Sequence, residues 1–183
     1  MPSIRLLILW HMHQPFYKDL MTGEYRLPWV RMHALKDYYG MAHLMEEFPD
    51  VHVTFNVVPS LVAQIEDYVA GSASDPVLSL VGKPAEELSI DERRFALKYL
   101  FQANPVHLIG RYLRYHELFE THAENDFDAE RSVKHFSTQD FTDLQILSQL
   151  AWFDEFHLLE PEVMELVRKG RRFSDTDRQT LPR

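Results

Sequence analysis

The fold of this chain is decided by one apolar stretch near its start, Ile4-Arg5-Leu6-Leu7-Ile8-Leu9-Trp10. Polar residues bound a run that is otherwise aliphatic and aromatic, which is typical of a strand buried on both faces of a parallel sheet. The run is too short for a membrane-spanning helix or for the core of a secretory signal. We therefore predict a first strand over residues 4–10, as part of an α/β sheet.

A second strand is expected one helix later. Apolar residues at helical spacing predict a helix over residues 31–48, which ends at Pro49. Residues 51–57 then alternate between apolar and polar side chains, as in a half-buried strand. Because the crossover of such a βαβ unit is right-handed, the two strands should be parallel. The loops that follow them should open on the carboxyl-terminal edge of the sheet, where α/β proteins bind ligands.

The remainder of the chain gives helical signals and no third strand. Ser60 is expected to cap a helix to about Val69, and the sequence Ser89-Ile90-Asp91-Glu92 is a capping box. Residues 122–137 are polar and predict a loop. Further helices are expected over residues 141–151, between Pro161 and Gly170, and from Ser174 onward, with Ser174 as the N-cap. The chain therefore resembles one βαβ unit followed by a long helical segment.

Two parallel strands make an incomplete sheet. Both edges would stay unpaired, and parallel strands are stable only with neighbouring strands and with helices on both faces. The helix that begins at Ser174 also has barely two turns before the sequence ends at Arg183. We therefore expect this sequence to be the amino-terminal part of a longer domain.

The composition excludes several classes of function. The 183 residues carry 19 Lys and Arg against 28 Asp and Glu, a formal net charge of -9. This charge opposes binding to nucleic acid or to an anionic membrane surface, so we expect neither partner. The absence of Cys excludes a disulfide scaffold, a thiolate zinc site and a Cys nucleophile. We predict a cytoplasmic globular protein, in which any metal would need His and carboxylate ligands.

The residues that could carry chemistry form one cluster, Trp10-His11-Met12-His13-Gln14-Pro15-Phe16-Tyr17, at the carboxyl end of the first strand. In an extended segment His11 and His13 project to the same side, with Trp10 or Met12 on the other. Two imidazoles with an amide and aromatic rings suit hydrogen bonding to sugar hydroxyls and stacking on pyranose rings. The same two imidazoles also suit a metal ion. The residues alone leave both alternatives open.

Four stretches in the same order carry a resemblance to a known family. They are Leu9–Tyr17, Leu27–Tyr39, Thr54–Leu61 and Leu150–Asp154. Together they resemble glycoside hydrolase family 57, which includes α-amylases, amylopullulanases and 4-α-glucanotransferases. The usual first signature of that family is a His-Gln-Pro-Tyr core preceded by a second His. This sequence has Phe16 at the position of that Tyr, with Tyr17 next.

The resemblance implies a fold and a function. It implies a (β/α)₇ barrel that acts by a retaining mechanism on α-linked glucans, without a cofactor and without a metal. Residues 1–60 would begin the barrel, and residues 61–183 would form a mostly helical segment that continues into the rest of it. By the resemblance, His11 and His13 would line the sugar subsite beside the cleaved bond. The full set of implied substrate-binding residues is His11, His13, Gln14, Trp10, Trp29 and His33.

The resemblance implies no catalytic residue within this sequence. The glutamate nucleophile and the aspartate acid/base of the family belong to later strands, and a retaining mechanism needs both carboxylates about 5 to 5.5 Å apart. Asp37 and Glu66 are interpreted as solvated or salt-bridged charges on helices. Packing around Trp152 is expected to explain Asp154. We therefore predict that the 183-residue chain alone has no activity on α-glucans.

Two other functions stay open from the sequence. One is a metal-dependent hydrolase in which His11 and His13 are ligands and a third ligand lies elsewhere. The other is a non-catalytic carbohydrate-binding protein that exists naturally in this short form. The second would have to fold alone, which the unpaired sheet edges disfavour.

Overall fold

The computed structural model describes residues 4–181, and the chain divides into two compact units. The first covers Met1–Asp75 and contains both strands, so we call it the sheet unit. The second covers Pro76–Arg183 and is helical, so we call it the helical unit.

The sheet unit contains the predicted βαβ arrangement. Its elements are β1 (Leu9–Met12), α1 (Trp29–His33), a π-helical turn (Ala34–Tyr38), α2 (Tyr39–Glu47), β2 (Thr54–Val57) and α3 (Pro59–Val69). The two strands are parallel, with Leu9 opposite Thr54 and His11 opposite Asn56. Within residues 4–181 they form a sheet of two strands and no other sheet. The prediction of two parallel strands joined by a helix is confirmed.

The position and the burial of the first strand differ from the prediction. We expected a strand over residues 4–10 that is buried on both faces, but β1 covers Leu9–Met12. Before it, Ile4 is 95% exposed and Leu7 is 80% exposed. A strand exists only where a partner strand offers hydrogen bonds, and β2 meets the chain from Ile8 onward, where the Ile8 carbonyl accepts from the Thr54 N–H at 2.9 Å. The apolar pattern marked a strand correctly but could not show where its partner lies.

A small apolar core covers one face of the sheet. Met12 of β1 is buried against Val30 of α1 and Leu61 of α3. Beside it, the Arg31 guanidinium and the Asp75 carboxylate form a buried ion pair at 3.4 Å, and the Tyr68 hydroxyl donates to Asp75 at 3.0 Å. These contacts attach α1 and α3 to the inner face of β1.

The helical unit consists of short helices around one long, buried helix. Its elements are α4 (Pro76–Gly82), a 3₁₀ turn (Ala85–Glu87), α5 (Ile90–Tyr99), a second π-helical turn (Pro105–Ile109), α6 (Leu113–Ala123), α7 (Ala129–Ser132), a 3₁₀ turn (Val133–His135), α8 (Thr138–Leu150), α9 (Glu155–Leu158), α10 (Pro161–Lys169) and α11 (Asp175–Thr180). Every residue of α8 from Asp143 to Leu150 is buried. Several aromatic residues contribute to this core, and Tyr115 and Phe141 are fully buried in it.

Most of the predicted helix ends are confirmed. Ser89 and Ser174 both form capping boxes, and Gly170 ends α10 in the left-handed conformation at φ 65°. The Ser60 cap is wrong, because α3 begins at Pro59 with Val58 as the N-cap residue. Proline suits the first helical position, where its missing N–H is no loss.

The predicted loop over residues 122–137 is also partly wrong. It contains α7, whose first turn is capped by Asp128, because this carboxylate accepts from the N–H groups of Glu130 and Arg131. The polar composition of the segment therefore reflects a helix cap as well as a loop.

None of the helices in residues 4–181 combines the length and the apolar composition that a membrane span requires.

Candidate functional site

The two histidines of the strand end lie together on the open face of the sheet. The rings of His11 and His13 are 5.8 Å apart between centroids and nearly parallel, at an interplanar angle of 9°. Both residues are exposed. The prediction that they project to the same side is confirmed, and their ring edges are accessible to a ligand.

The residues between and before the histidines point to the inner face. Met12 is buried in the core, and Trp10 packs edge-on against Phe55 of β2 at 5.2 Å between ring centroids. This alternation follows from the pleat of a strand, in which successive side chains point to opposite faces. Trp10 therefore packs on the inner face of the sheet, while the two imidazoles face solvent.

Gln14 is fixed by two tyrosines. The Tyr17 hydroxyl donates to Gln14 Oε1 at 2.9 Å, and Gln14 Nε2 donates to the Tyr38 hydroxyl at 3.2 Å. The Tyr38 hydroxyl in turn donates to the His13 carbonyl at 3.2 Å. We call this chain of contacts among Tyr17, Gln14, Tyr38 and His13 the Gln14 network. It fixes which end of the Gln14 amide is the donor and leaves one N–H and one lone pair of that amide for other partners.

Gln64 of α3 binds the backbone of the loop that follows β1, and we did not predict this role from the sequence. Its side-chain oxygen accepts from the Tyr17 N–H at 2.8 Å, and its Nε2 donates to the carbonyls of Pro15 and Ser60 at 3.1 and 3.0 Å. Gln64 is fully buried. A signal was available, because Gln64 shares the apolar face of α3 with Leu61. A polar residue at a core position indicates a specific hydrogen-bond partner.

Trp29 and His33 lie one helical turn apart on α1. Their ring centroids are 6.3 Å apart. His33 Nδ1 lies 2.5 Å from Asp37 Oδ2, which places a proton on Nδ1, and the Lys36 ammonium lies 2.7 Å from Asp37 Oδ1. The hydrogen bond from His33 lowers the pKa of the Asp37 carboxyl, against the opposing effect of burial.

Asp37 is thus salt-bridged, as the sequence suggested, and it also orients a candidate site residue. Its partner His33 has its ring centroid 6.4 Å from that of Tyr38, so the two side chains are neighbours. The structure therefore brings together His11 with His13, Gln14 with Tyr38, and Trp29 with His33.

Glu66 and Asp154 carry the other carboxylates that could be catalytic candidates. Glu66 is exposed on α3. Asp154 caps α9, since its Oδ1 accepts from the Phe156 N–H at 3.0 Å. Among residues 4–181, no three His, Asp or Glu side chains are grouped so that they could hold a metal ion.

The comparisons with known proteins give one match. The sequence model described as "Glycosyl hydrolase family 57" matches residues 7–178 of the 183-residue chain. Among curated proteins and among solved structures, none matches. The matched range includes β1, the Gln14 network, His33 and the whole of the helical unit up to α11. The chain belongs to glycosyl hydrolase family 57.

Proposed function

We propose that this chain is the amino-terminal part of a retaining hydrolase or transferase that acts on α-linked glucans, and that it supplies sugar-binding residues rather than the catalytic carboxylates. The family implies a carbohydrate substrate. In the proposal His11 and His13 contact the sugar next to the cleaved bond. Gln14, Trp29 and His33 make further contacts with the substrate, and Trp10 supports the strand.

The observation that carries the proposal is the exposed pair His11 and His13 on the open face of the sheet. Two parallel imidazole edges, held by a strand, offer nitrogen atoms at fixed spacing to neighbouring sugar hydroxyls. Gln14 adds an amide whose orientation is already set by Tyr17 and Tyr38. A binding site of this kind loses little entropy when the ligand arrives, because its side chains are fixed in advance.

The exposed apolar residues before β1 support a barrel that extends beyond these two strands. Leu6 and Leu7 are 82% and 80% exposed, although leucine in an α/β sheet is normally covered. Further strands and helices would cover them and would enclose the open face that carries the histidines. In this proposal residues 1–60 begin the barrel and residues 61–183 form the helical segment.

The catalytic carboxylates are proposed to come from later strands of that barrel. Asp37 is engaged by His33 and Lys36, and Asp154 is engaged as a helix cap. Both carboxylates therefore have structural partners, whereas a retaining mechanism needs two carboxylates about 5 to 5.5 Å apart that are free to act on the substrate. We also propose that the protein acts in the cytoplasm, where the absence of Cys is ordinary.

The proposal is tested by titrating the chain with maltooligosaccharides and following tryptophan fluorescence. We expect measurable binding without turnover of amylose, maltooligosaccharide or pullulan. His13→Ala should weaken binding roughly 2- to 13-fold, since one hydrogen bond to an uncharged group contributes about 0.5 to 1.5 kcal/mol. The matched control is His107→Ala, because His107 is exposed in the helical unit and should leave the affinity unchanged.

The same titration separates sugar binding from a metal site. Under the proposal, a chelator leaves the affinity of the unmutated chain for sugar unchanged. Loss of binding on chelation, with recovery on addition of zinc or manganese, would contradict it. Turnover by the isolated chain would show that carboxylates within these residues are sufficient.

A further inference from the structure

Tyr38 lies on a helical turn of unusual geometry. Residues Ala34–Tyr38 form a π-helical turn, in which the Tyr39 N–H bonds to the Ala34 carbonyl five residues earlier. A π turn inserts one residue into the helix, so the side chains after it are rotated by about one α-helical step, roughly 100°. Such turns are frequent at functional sites. The π turn gives Tyr38 an orientation that a continuous α-helix would not.

This orientation places the Tyr38 hydroxyl between two candidate site residues. It accepts from Gln14 Nε2 and donates to the His13 carbonyl, each at 3.2 Å. The hydroxyl therefore acts both as an acceptor and as a donor within the loop that follows β1. The Tyr38 ring itself packs against the core formed by Met12, Val30 and Leu61, so the hydroxyl is presented from a fixed base.

Without that hydroxyl, one end of the Gln14 amide has no partner in the network. Tyr17 would still donate to Gln14 Oε1, but a single hydrogen bond allows the amide to rotate about it. The His13 carbonyl would lose its side-chain donor at the same time. The backbone of the loop would stay attached through Gln64, which holds the Tyr17 N–H and the Pro15 carbonyl. Loss of the hydroxyl should thus change the orientation of Gln14 and His13 more than the fold.

We propose that Tyr38 is a positioning residue for sugar recognition, whose hydroxyl sets the direction of the Gln14 amide and of the His13 backbone before a substrate binds. This inference rests on the proposed function. It assigns the π-helical turn a role, namely to bring the hydroxyl of one helix to the end of the neighbouring strand. It also makes Tyr38 act through Gln14 and His13 and not through direct contact with the sugar.

The test is Tyr38→Phe, which removes only the hydroxyl, with Tyr99→Phe as the matched control. Tyr99 belongs to α5, where its ring packs on Phe95 at 4.4 Å between centroids. Two quantities are measured on each chain. The first is the pair of side-chain N–H signals of Gln14 in a ¹⁵N-correlated NMR spectrum, assigned by their loss in Gln14→Leu. The second is the affinity for maltooligosaccharide.

We expect Tyr38→Phe to shift the Gln14 side-chain signals and to weaken sugar binding roughly 2- to 13-fold, the effect of about one hydrogen bond. Its thermal unfolding midpoint should stay close to that of the control. In the Gln14→Leu background the same substitution should weaken binding less than it does in the unmutated chain, because only the hydrogen bond to the His13 carbonyl is then left to lose.

Several results would contradict the role proposed for Tyr38. Unchanged Gln14 signals in Tyr38→Phe would overturn the positioning role whether or not sugar binds. Shifted signals with unchanged affinity, or fully additive losses in the double variant, would overturn the link between Tyr38 and recognition. If the unmutated chain binds no maltooligosaccharide, the proposed function fails, and the recognition role of Tyr38 fails with it, while the NMR arm still reports separately on the orientation of Gln14.

Discussion

The two units of the chain differ in how far their apolar residues are buried. In the helical unit, α8 is buried from Asp143 to Leu150, and the aromatic side chains of Tyr115 and Phe141 are fully buried. In the sheet unit, Ile4 and Leu7 are almost fully exposed, and the core around Met12 is small. The helical unit is therefore stabilised by apolar burial. The sheet unit depends to a larger degree on polar anchors such as Gln64 and the Arg31–Asp75 ion pair.

The largest expected effect tests the core of the helical unit. Phe141 of α8 is fully buried, and the Arg93 guanidinium lies 5.3 Å from its ring centroid. Phe141→Ala should lower the free energy of unfolding by about 3 to 5 kcal/mol, through lost burial and the cavity left behind. Leu7→Ala in the sheet unit should change it by less than about 0.5 kcal/mol. Urea unfolding followed by circular dichroism measures both, and equal losses would abolish the contrast between the units.

A smaller loss is expected from the buried carboxylate of the helical unit. Asp143 accepts from the Arg114 Nε–H at 3.0 Å, from Gln139 Nε2 at 3.0 Å and from the Phe173 N–H at 3.0 Å. Asp143→Ala should cost about 3 kcal/mol in the same unfolding experiment, because it leaves the buried Phe173 N–H without its acceptor and breaks the pair between a buried carboxylate and the partly buried Arg114. The control Asp91→Ala removes a carboxylate that is 85% exposed, and its effect should be near zero.

The polar anchor of the sheet unit should contribute an intermediate amount. Gln64→Leu keeps the size of the side chain but leaves the Tyr17 N–H and the Pro15 carbonyl without their partner. We expect a loss of about 1 to 3 kcal/mol in the stability of this unit. Limited proteolysis, with cleavage sites mapped to the loop after β1, measures it, and Gln102→Leu at an exposed position is the control. Protection equal to that of the unmutated chain would show that the loop does not depend on Gln64.

The stability of the helical unit should also depend on pH through His122. This ring is buried, stacks on Phe101 at 5.4 Å and hydrogen-bonds Ser132 at 2.6 Å. Burial lowers the pKa of His122 below its unfolded value of 6.5, although Asp128 partly opposes the shift. The unfolded chain therefore takes up a proton first, and stability should fall as the pH drops below about 6.5. Unfolding curves between pH 7.5 and roughly 5 should show a weaker dependence in His122→Gln, and identical slopes would contradict this assignment.

The smallest change in stability is expected from replacing the exposed residues before β1, but this replacement should clearly reduce the apolar surface. Replacing Leu6 and Leu7 by Gln removes two side chains that are about four-fifths exposed, so unfolding should be unaffected. Exposed apolar patches of this kind bind hydrophobic dyes and promote association. The double variant should therefore bind less anilinonaphthalene sulfonate and form fewer aggregates in light scattering. An unchanged dye signal would place the accessible apolar surface elsewhere.

Local signals in the sequence predicted the parts of the fold that local interactions determine. The capping box at Ser89, the N-cap at Ser174 and the end of α10 at Gly170 depend only on residues within a few positions, and all three are confirmed. The parallel pairing of the strands was also predictable, because a helix joins them. The bounds of β1 were not, since they depend on where β2 meets it.

The candidate site was likewise predictable only where local geometry determines it. The pleat of a strand alone places His11 and His13 on one side, and the structure agrees. The roles of Tyr38 and Gln64 depend on contacts 25 and 49 residues away along the chain, so a local pattern can indicate that Gln64 has a partner but cannot identify the partner of either residue. The π-helical turn that orients Tyr38 has no simple sequence signal either.

The contact between Gln64 and the Tyr17 N–H has a consequence for the rate of hydrogen exchange. Amide protons in connecting segments usually exchange quickly, because solvent reaches them without any opening of the structure. The Tyr17 proton is instead bonded to a fully buried side chain of α3, so it can exchange only when the loop separates from that helix. Its exchange should be slow for a residue outside regular structure. The loop backbone beside Gln14 would then already be held in place before a substrate binds, and binding would not need to order it.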